Sequence, residues 1–282
     1  MHADDVLPLS DPPAPDLPLG GRVAVVTGVG RRRGIGFAIA SRLLGMGASV
    51  LVQHWAPHDE AQPWGSDPIE EVVAALRESA VAGARVEETS VDFAAAEGAS
   101  HLIARGVAAF GHLDVLVCNH ALSGDDGDLA SMTAERLDHH WQVNTRSTLL
   151  ATRDFAAQHD GRPGGRVIWM TSGQTQGPMP SEIAYATSKA ALAGVTPSVA
   201  AWLAPQGILL NTVNPGPVNT GYLDLVGGDR PSDVVESLVA RFPGGRFGEP
   251  DDPARLIAWL VSDEGRWMVG QVLSTEGGFR RG

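Results

Sequence analysis

The apolar run Val23-Ala24-Val25-Val26 passes directly into Thr27-Gly28-Val29-Gly30-Arg31-Arg32-Arg33-Gly34-Ile35-Gly36, after which Ile35, Ile39, Leu43 and Met46 recur at helical spacing. A buried strand, a glycine-rich turn and an amphipathic helix in that order are a strong constraint on fold. The glycines allow a tight turn and let the backbone come close to a pyrophosphate. The helix that follows offers free N–H groups and the positive end of its dipole. A strand-to-helix turn with glycines at positive φ and no ligand would read the same, but three consecutive cations beside a helix N-terminus oppose its dipole. An anion is therefore expected among Arg31, Arg32 and Arg33.

The same alternation continues down the chain. Val50 to Val52, Val86 to Val91, Val115 to Val117, Val167 to Met170, Ile208 to Val213 and Gln271 to Leu273 read as further strands. Helical patterns separate them, with long segments at about 134–157 and 184–203. Strands that are apolar throughout, rather than on alternate residues, point to a parallel sheet covered by helices on both faces. We expect an α/β chain with a single doubly wound, Rossmann-type domain over residues 20–282. Residues 1–19, rich in Asp and Pro, form a tail that lacks the features of a secretory signal. The stretch from Pro57 to Pro68 reads as a loop.

Composition narrows the partners. The chain has 282 residues with 33 acidic against 21 basic side chains, a formal net charge of −12. That field disfavours nucleic acid and anionic membranes. One cysteine, Cys118, allows no internal disulfide and no thiolate-rich metal site, so no metal is expected. No apolar run approaches the length of a membrane span. A cytoplasmic enzyme acting on a small molecule is the plain expectation.

Two scarcities converge. The only lysine, Lys189, follows one of only two tyrosines, Tyr185, by four residues. Phenol and ammonium at i and i+4 share one helical face, and an ammonium there can lower a phenol's pKa from its usual value near 10. At the end of the second strand, Gln53-His54-Trp55 carries no acid to bond the 2′-hydroxyl of NAD. That absence and the three arginines favour NADP(H) over NAD(H). His54 and Trp55 either meet the cofactor or pack the loop.

With these motifs in place, the chain from about residue 21 to 280 resembles the short-chain dehydrogenase/reductase family. The resemblance implies catalytic roles for Asn144, Ser172, Tyr185 and Lys189, and a strand order of 3-2-1-4-5-6-7. Tyr185 would carry the proton, its pKa depressed by Lys189 and the oxidised nicotinamide together. Ser172 would hold the carbonyl oxygen, and Asn144 would fix a water in a proton relay. Cofactor contacts would come from Gly28, Arg31, Arg32, Arg33, Gly34, Ile35 and Gly36 in the turn, from His54 and Trp55, and from Asp92 and Phe93 after the third strand. Asn119, His120, Tyr185, Lys189, Pro215, Gly216, Val218 and Thr220 would complete them. The expected activity is an NADP(H)-dependent hydride transfer between nicotinamide and a ketone or secondary alcohol, 3-oxoacyl chains included, in a dimer or tetramer. A non-redox lyase or dehydratase on the same fold, or a nucleotide-sensing regulator, are the alternatives.

The chain departs from the family pattern in three places. Five residues separate Gly28 from Gly34, a longer turn that resembles a 3-oxoacyl-carrier-protein reductase-like subgroup, as do Pro63-Trp64-Gly65 and Gln176-Gly177-Pro178-Met179. His120 stands in Cys118-Asn119-His120-Ala121, where it meets ribose or substrate or fills space, with space filling preferred. Pro197 interrupts the Tyr-Lys helix and should kink it. A substrate lid is expected at about 221–247, with Leu223, Leu225, Val226 and Phe242 as its apolar groups. Docking of an acidic carrier protein would need a local basic patch, for which Arg136, Arg146 and Arg153 are the candidates.

Overall fold

A computed structural model describes residues 17–228 and 230–281. Seven strands form one parallel sheet in the order β3-β2-β1-β4-β5-β6-β7, as the resemblance implied. They are β1 Val23–Thr27, β2 Ser49–His54, β3 Val86–Ser90, β4 Val115–Cys118, β5 Gly165–Met170, β6 Ile208–Asn214 and β7 Val272–Ser274. The order reverses between β1 and β4, which opens a crevice at the carboxyl ends of those strands.

Helices cover both faces: α1 Ile35–Gly45, α3 Ile69–Ser79 and α9 Asp251–Val261 on one, α4 Gly98–Phe110, α6 Ser147–Gln158 and α7 Ile183–Leu203 on the other. Consecutive strand residues feed opposite cores, which is why the strands are apolar throughout. Ala24 and Val26 pack with Ile39, Leu43, Leu76 and Ile257. Val25 packs instead with Leu102, Phe155, Trp169 and Leu192. Each large side chain so buried contributes about 1.5–3 kcal/mol. The edge strand β3 exposes alternate residues and is accordingly more polar.

Three details differ from the sequence reading. Leu19, assigned to the tail by composition, is fully buried and its amide bonds the carbonyl of Met46 at 2.8 Å; the rest of that stretch, up to residue 16, lies outside the described residues. The Pro57–Pro68 loop contains a short helix, α2 Ala56–Glu60. The long segment at 134–157 is interrupted: α5 Ala134–His140 leads into a π-helical turn, Trp141–Arg146, before α6. Pro197 lies inside α7, which spans 21 residues from Ile183 to Leu203. At the carboxyl end of α7 Leu203 is buried, while Trp202, Trp259 and Trp267 lie on the surface.

Candidate active site

Every motif singled out in the sequence emerges at the carboxyl edge of the sheet. The turn after β1 is held by side chains from its neighbours. The amide of Gly28 donates to Gln53 Oε1 at 3.0 Å, and Asn119 Nδ2 donates to the carbonyls of Thr27 and Gly28 at 3.0 and 3.2 Å. Gly28 has φ 70° and a Cβ there would lie 2.9 Å from His120 Cα. A Cβ on Gly36 would come within 2.5 Å of the Gly28 carbonyl oxygen. Both glycines are therefore required by close approach of helix, turn and strand. Helix α1 has no side-chain cap and no acid in its first turn, leaving that end suited to a phosphate. The residues present thus fit a dinucleotide.

The arginines are not the unpaired cations the sequence suggested. They fan out to three separate anchors. Arg31 Nη1 donates to the Thr220 carbonyl at 2.7 Å, pairs with Asp59 at 3.4 Å and lies 5.5 Å over the Trp64 ring. Arg32 meets Asp67 at 3.4 Å and Glu71 at 3.1 Å. Arg33 forms a two-point contact with Asp224 at 2.8 and 3.1 Å. The negative charge expected among them comes, in this chain, from its own carboxylates, in keeping with its acid excess. Burial lowers the Arg31 pKa against the pull of Asp59. The Arg33 pairs join the turn to the start of the expected lid.

Of the other expected cofactor contacts, Asp92 Oδ1 accepts from the Ala94 amide at 2.8 Å, and Phe93 is buried. His54 is buried against Glu88 at 2.9 Å, and Trp55 is exposed. His120 is tied inside the protein. Its Nδ1 lies 2.7 Å from Thr27 Oγ1, its Nε2 2.8 Å from Ser147 Oγ, and its ring stacks 4.0 Å from Phe93. Burial drives its pKa down to about 3, so the imidazole is neutral. After β6, the Gly216 amide bonds Asn214 Oδ1 at 3.0 Å, and Val218 is buried beside Gly248.

Asn144, Ser172, Tyr185 and Lys189 converge at the crevice. The π-helical turn, in which the Ser147 amide reaches back to the Gln142 carbonyl, holds fully buried Asn144; such turns recur at functional sites. Asn144 Oδ1 accepts from the Leu122 amide at 2.7 Å, and Nδ2 donates to Ser188 Oγ at 3.0 Å. Ser188 in turn donates to the Tyr185 carbonyl at 2.8 Å. Lys189, almost fully buried, donates from Nζ to the Met170 carbonyl at 3.0 Å and sits 5.9 Å from the Tyr185 ring centre.

Electrostatics here reverse one expectation. The Tyr185 phenol is not depressed by Lys189. Desolvation pushes it up to about 12, against a hydrogen bond with Ser172 that lowers it. Lys189, desolvated beside it, falls to about 8. The ammonium is aimed at a backbone carbonyl rather than at the phenol oxygen, so burial outweighs its charge.

Sequence reasoning missed Thr27, Gln53, Ser147 and Ser188, which brace this site. Gln53 had a visible signal: an amide inside an otherwise apolar strand must find partners, and its Nε2 donates to Val91 O at 2.8 Å. No helix among the described residues is long and apolar enough to cross a membrane, and among them no group of three or more His, Cys, Asp or Glu is arranged to hold a metal.

Comparison with known proteins places this geometry in context. Residues 28–280 match the family model described as enoyl-(acyl carrier protein) reductase. An uncharacterized oxidoreductase, YjdA, of Bacillus subtilis is 35% identical over 263 residues, covering 93% of this chain and 98% of that protein. An NADPH-dependent aldehyde reductase-like chloroplastic protein of Arabidopsis thaliana is 34% identical, covering 94% and 96%. The crystal structure of a short-chain dehydrogenase from Burkholderia cenocepacia in complex with NADP superposes with a TM-score of 0.77 at 33% identity, covering 92% and 98%.

Proposed function

The chain belongs to the short-chain dehydrogenase/reductase family of oxidoreductases, and from that membership we propose that it is an NADP(H)-dependent carbonyl reductase working through Tyr185, Ser172, Lys189 and Asn144. One observation carries the reading: the four side chains converge at the crevice, where the Tyr185 phenol is hydrogen-bonded to Ser172 and Lys189 Nζ sits 5.9 Å from its ring centre. A neutral phenol held at a hydroxyl that can grip a carbonyl oxygen is the proton donor that reduction of a carbonyl requires.

When bound, the nicotinamide supplies the hydride. Ser172 donates a hydrogen bond to the substrate's carbonyl oxygen and holds it at the phenol. Tyr185 gives its proton to that oxygen as the carbon gains the hydride, so the carbonyl becomes an alcohol. Lys189 and the Thr220 side chain would hold the nicotinamide half of the cofactor, and Lys189 would return a proton toward the phenolate. Asn144 pins the Leu122 backbone and, through Ser188, the turn that carries Tyr185. Positioning of donor, carbonyl and acid supplies most of the acceleration.

NADP(H) is supported by the absence of an acid at the end of β2, by the half-exposed Arg32 on that side of the turn, and by relatives whose descriptions name NADP or NADPH. For the substrate, a cavity of about 400 Å³ beside the lid helix α8, Ser232–Val239, is lined by Leu223, Leu225, Val235, Val239 and Phe247 together with Asn219, Asp224 and Glu236, which suits an apolar body carrying a polar group. Within the expected lid Leu223 and Phe242 are buried, and Leu225 and Val226 are exposed. A carrier-bound substrate has less support: Arg136, Arg146 and Arg153 are each engaged locally, with Asp125, the Ala94 carbonyl and Asp154. The exposed Trp202, Trp259 and Trp267 supply apolar area for a dimer or tetramer.

The test is turnover of a ketone and aldehyde panel with NADPH and NADH side by side, read at the reduced-nicotinamide absorbance band. Oxidation of NADPH by at least one carbonyl is expected. Cofactor that binds without changing oxidation state across the panel would favour a non-redox enzyme or a sensor.

A further inference from the structure

Helix α7 carries Tyr185 in its first turn, and nothing local finishes that end. Glu182, at the cap position, makes no side-chain capping bond, and the first turn carries no acid. The first N–H groups of a helix need acceptors from elsewhere. They find them in the loop after β4, nearly sixty residues earlier in the chain. The Ile183 amide donates to the Gly127 carbonyl at 3.1 Å. The Ala184 amide donates to Asp126 Oδ1 at 3.0 Å, and the Tyr185 amide to Asp126 Oδ2 at 2.7 Å.

We propose that Asp126 is a positioning residue for catalysis, a carboxylate that caps α7 from a distant loop and thereby sets where the Tyr185 phenol stands in the crevice. The inference rests on the reading of Tyr185 as the proton donor. It goes beyond that reading by assigning a role to a residue that makes no contact with the reacting atoms.

The loop is built to hold this carboxylate still. Asp126 Oδ1 also accepts from the Gly127 amide at 2.8 Å. Asp125, with φ 44°, is the one non-glycine residue at positive φ among those described, and Gly124 before it has φ 80°. Such backbone persists only where surrounding contacts determine it. Those contacts come from α5: His140 Nε2 lies 3.1 Å from the Gly124 carbonyl, and Arg136 pairs with Asp125 at 3.4 Å. His140 in turn meets the Tyr185 ring edge-on at 6.4 Å between centres. The loop is thus clamped between the helix that leads to Asn144 and the helix that carries Tyr185. A carboxylate suits the position twice, through charge-assisted bonds to two amides and through the helix dipole.

The test compares Asp126→Ala and Asp126→Asn with the parent, all carrying Tyr222→Phe so that Tyr185 is the only tyrosine. Turnover uses NADPH and the fastest carbonyl of the panel. Asp126→Ala should lower kcat by about 10- to 100-fold, the scale of a displacement near 1 Å. KM and NADP+ affinity, the latter read by tryptophan quenching, should stay within about twofold. The tyrosinate ultraviolet titration of Tyr185 should move down toward the ordinary value near 10 as the ring gains water. Asp126→Asn, isosteric and still offering one acceptor, should fall between, and it carries the test if the alanine variant does not fold. A lower Tm with kcat and the tyrosinate titration unchanged would overturn the proposal and leave Asp126 as an ordinary cap. The two readings fail separately: activity retained by Tyr185→Phe sinks the proton-donor role, whereas an inactive Tyr185→Phe beside a fully active Asp126→Ala sinks the positioning role alone.

Discussion

The ammonium of Lys189 is hydrogen-bonded to the carbonyl oxygen of Met170 at 3.0 Å, with almost no solvent access. A neutral carbonyl compensates a buried cation poorly, and the Lys189 pKa falls from 10.5 to about 8. Below about pH 8 the lysine is charged in both folded and unfolded chains, so the burial cost is fully felt at neutral pH. It fades as pH rises from about 8 to 10.5, where the unfolded lysine keeps a proton that the folded one has lost.

Lys189→Met should therefore stabilise the fold at pH 7 by about 1–3 kcal/mol while abolishing turnover, a trade between stability and function. Thermal melts of parent and variant at pH 7 and pH 10 check this. The difference should be largest at pH 7 and shrink at pH 10.

His120 gives an acid-side expectation of defined sign. Its pKa falls from 6.5 to about 3 because its ring is buried between Thr27, Ser147 and Phe93. Above pH 6.5 both states are neutral. As pH falls from 6.5 toward 3, the unfolded chain takes up a proton that the folded one refuses, and stability is lost. His120→Asn removes that proton, so the stability gap between parent and variant should narrow by about 2 kcal/mol from pH 7.5 to pH 5. Urea unfolding at the two pH values measures it.

The fan of arginines separates roles that look equivalent in sequence. Arg32 reaches Asp67 and Glu71, beside the amino end of α3 and so on the β2 side of the turn, through half-exposed ion pairs that add little stability. Arg32→Ala should leave Tm nearly unchanged and weaken NADPH by about 10- to 100-fold, the loss of a charge-assisted bond to a phosphate. NADH affinity should barely move. Arg33→Ala, which removes the two-point contact with Asp224 and leaves that carboxylate its bond from Asn219, should instead raise KM for the carbonyl while sparing the preference for NADPH. Titrations with both cofactors, at two salt concentrations, tell the two apart.

The glycine-rich turn and the Tyr185–Lys189 pair were legible because each depends on local pattern: apolar runs, fixed spacings, a lysine four residues after a tyrosine. The strand order and the places of Asn144 and Ser172 came only with the family resemblance that those motifs carry. What the sequence hid depends on distance along the chain. Arg33 finds Asp224 191 positions away, and Asp126 meets the Tyr185 amide across 59; no spacing rule connects such pairs. The π-helical turn at Trp141–Arg146 carries no compositional mark, since it differs from an α-helix only in which carbonyl each amide reaches. The phenol's pKa was misjudged for a related reason. Adjacency of Tyr185 and Lys189 was visible in one dimension, but the burial that outweighs it is a property of the packed fold.

The central claim is that Tyr185 delivers the proton when a carbonyl is reduced. Tyr185→Phe removes one oxygen atom and keeps the ring that packs against His140. Steady-state NADPH oxidation with the best carbonyl, alongside NADPH binding by fluorescence, tests it most directly. The variant should bind NADPH about as tightly as the parent and lose nearly all turnover. Turnover within an order of magnitude of the parent, at unchanged NADPH affinity, would contradict the assignment.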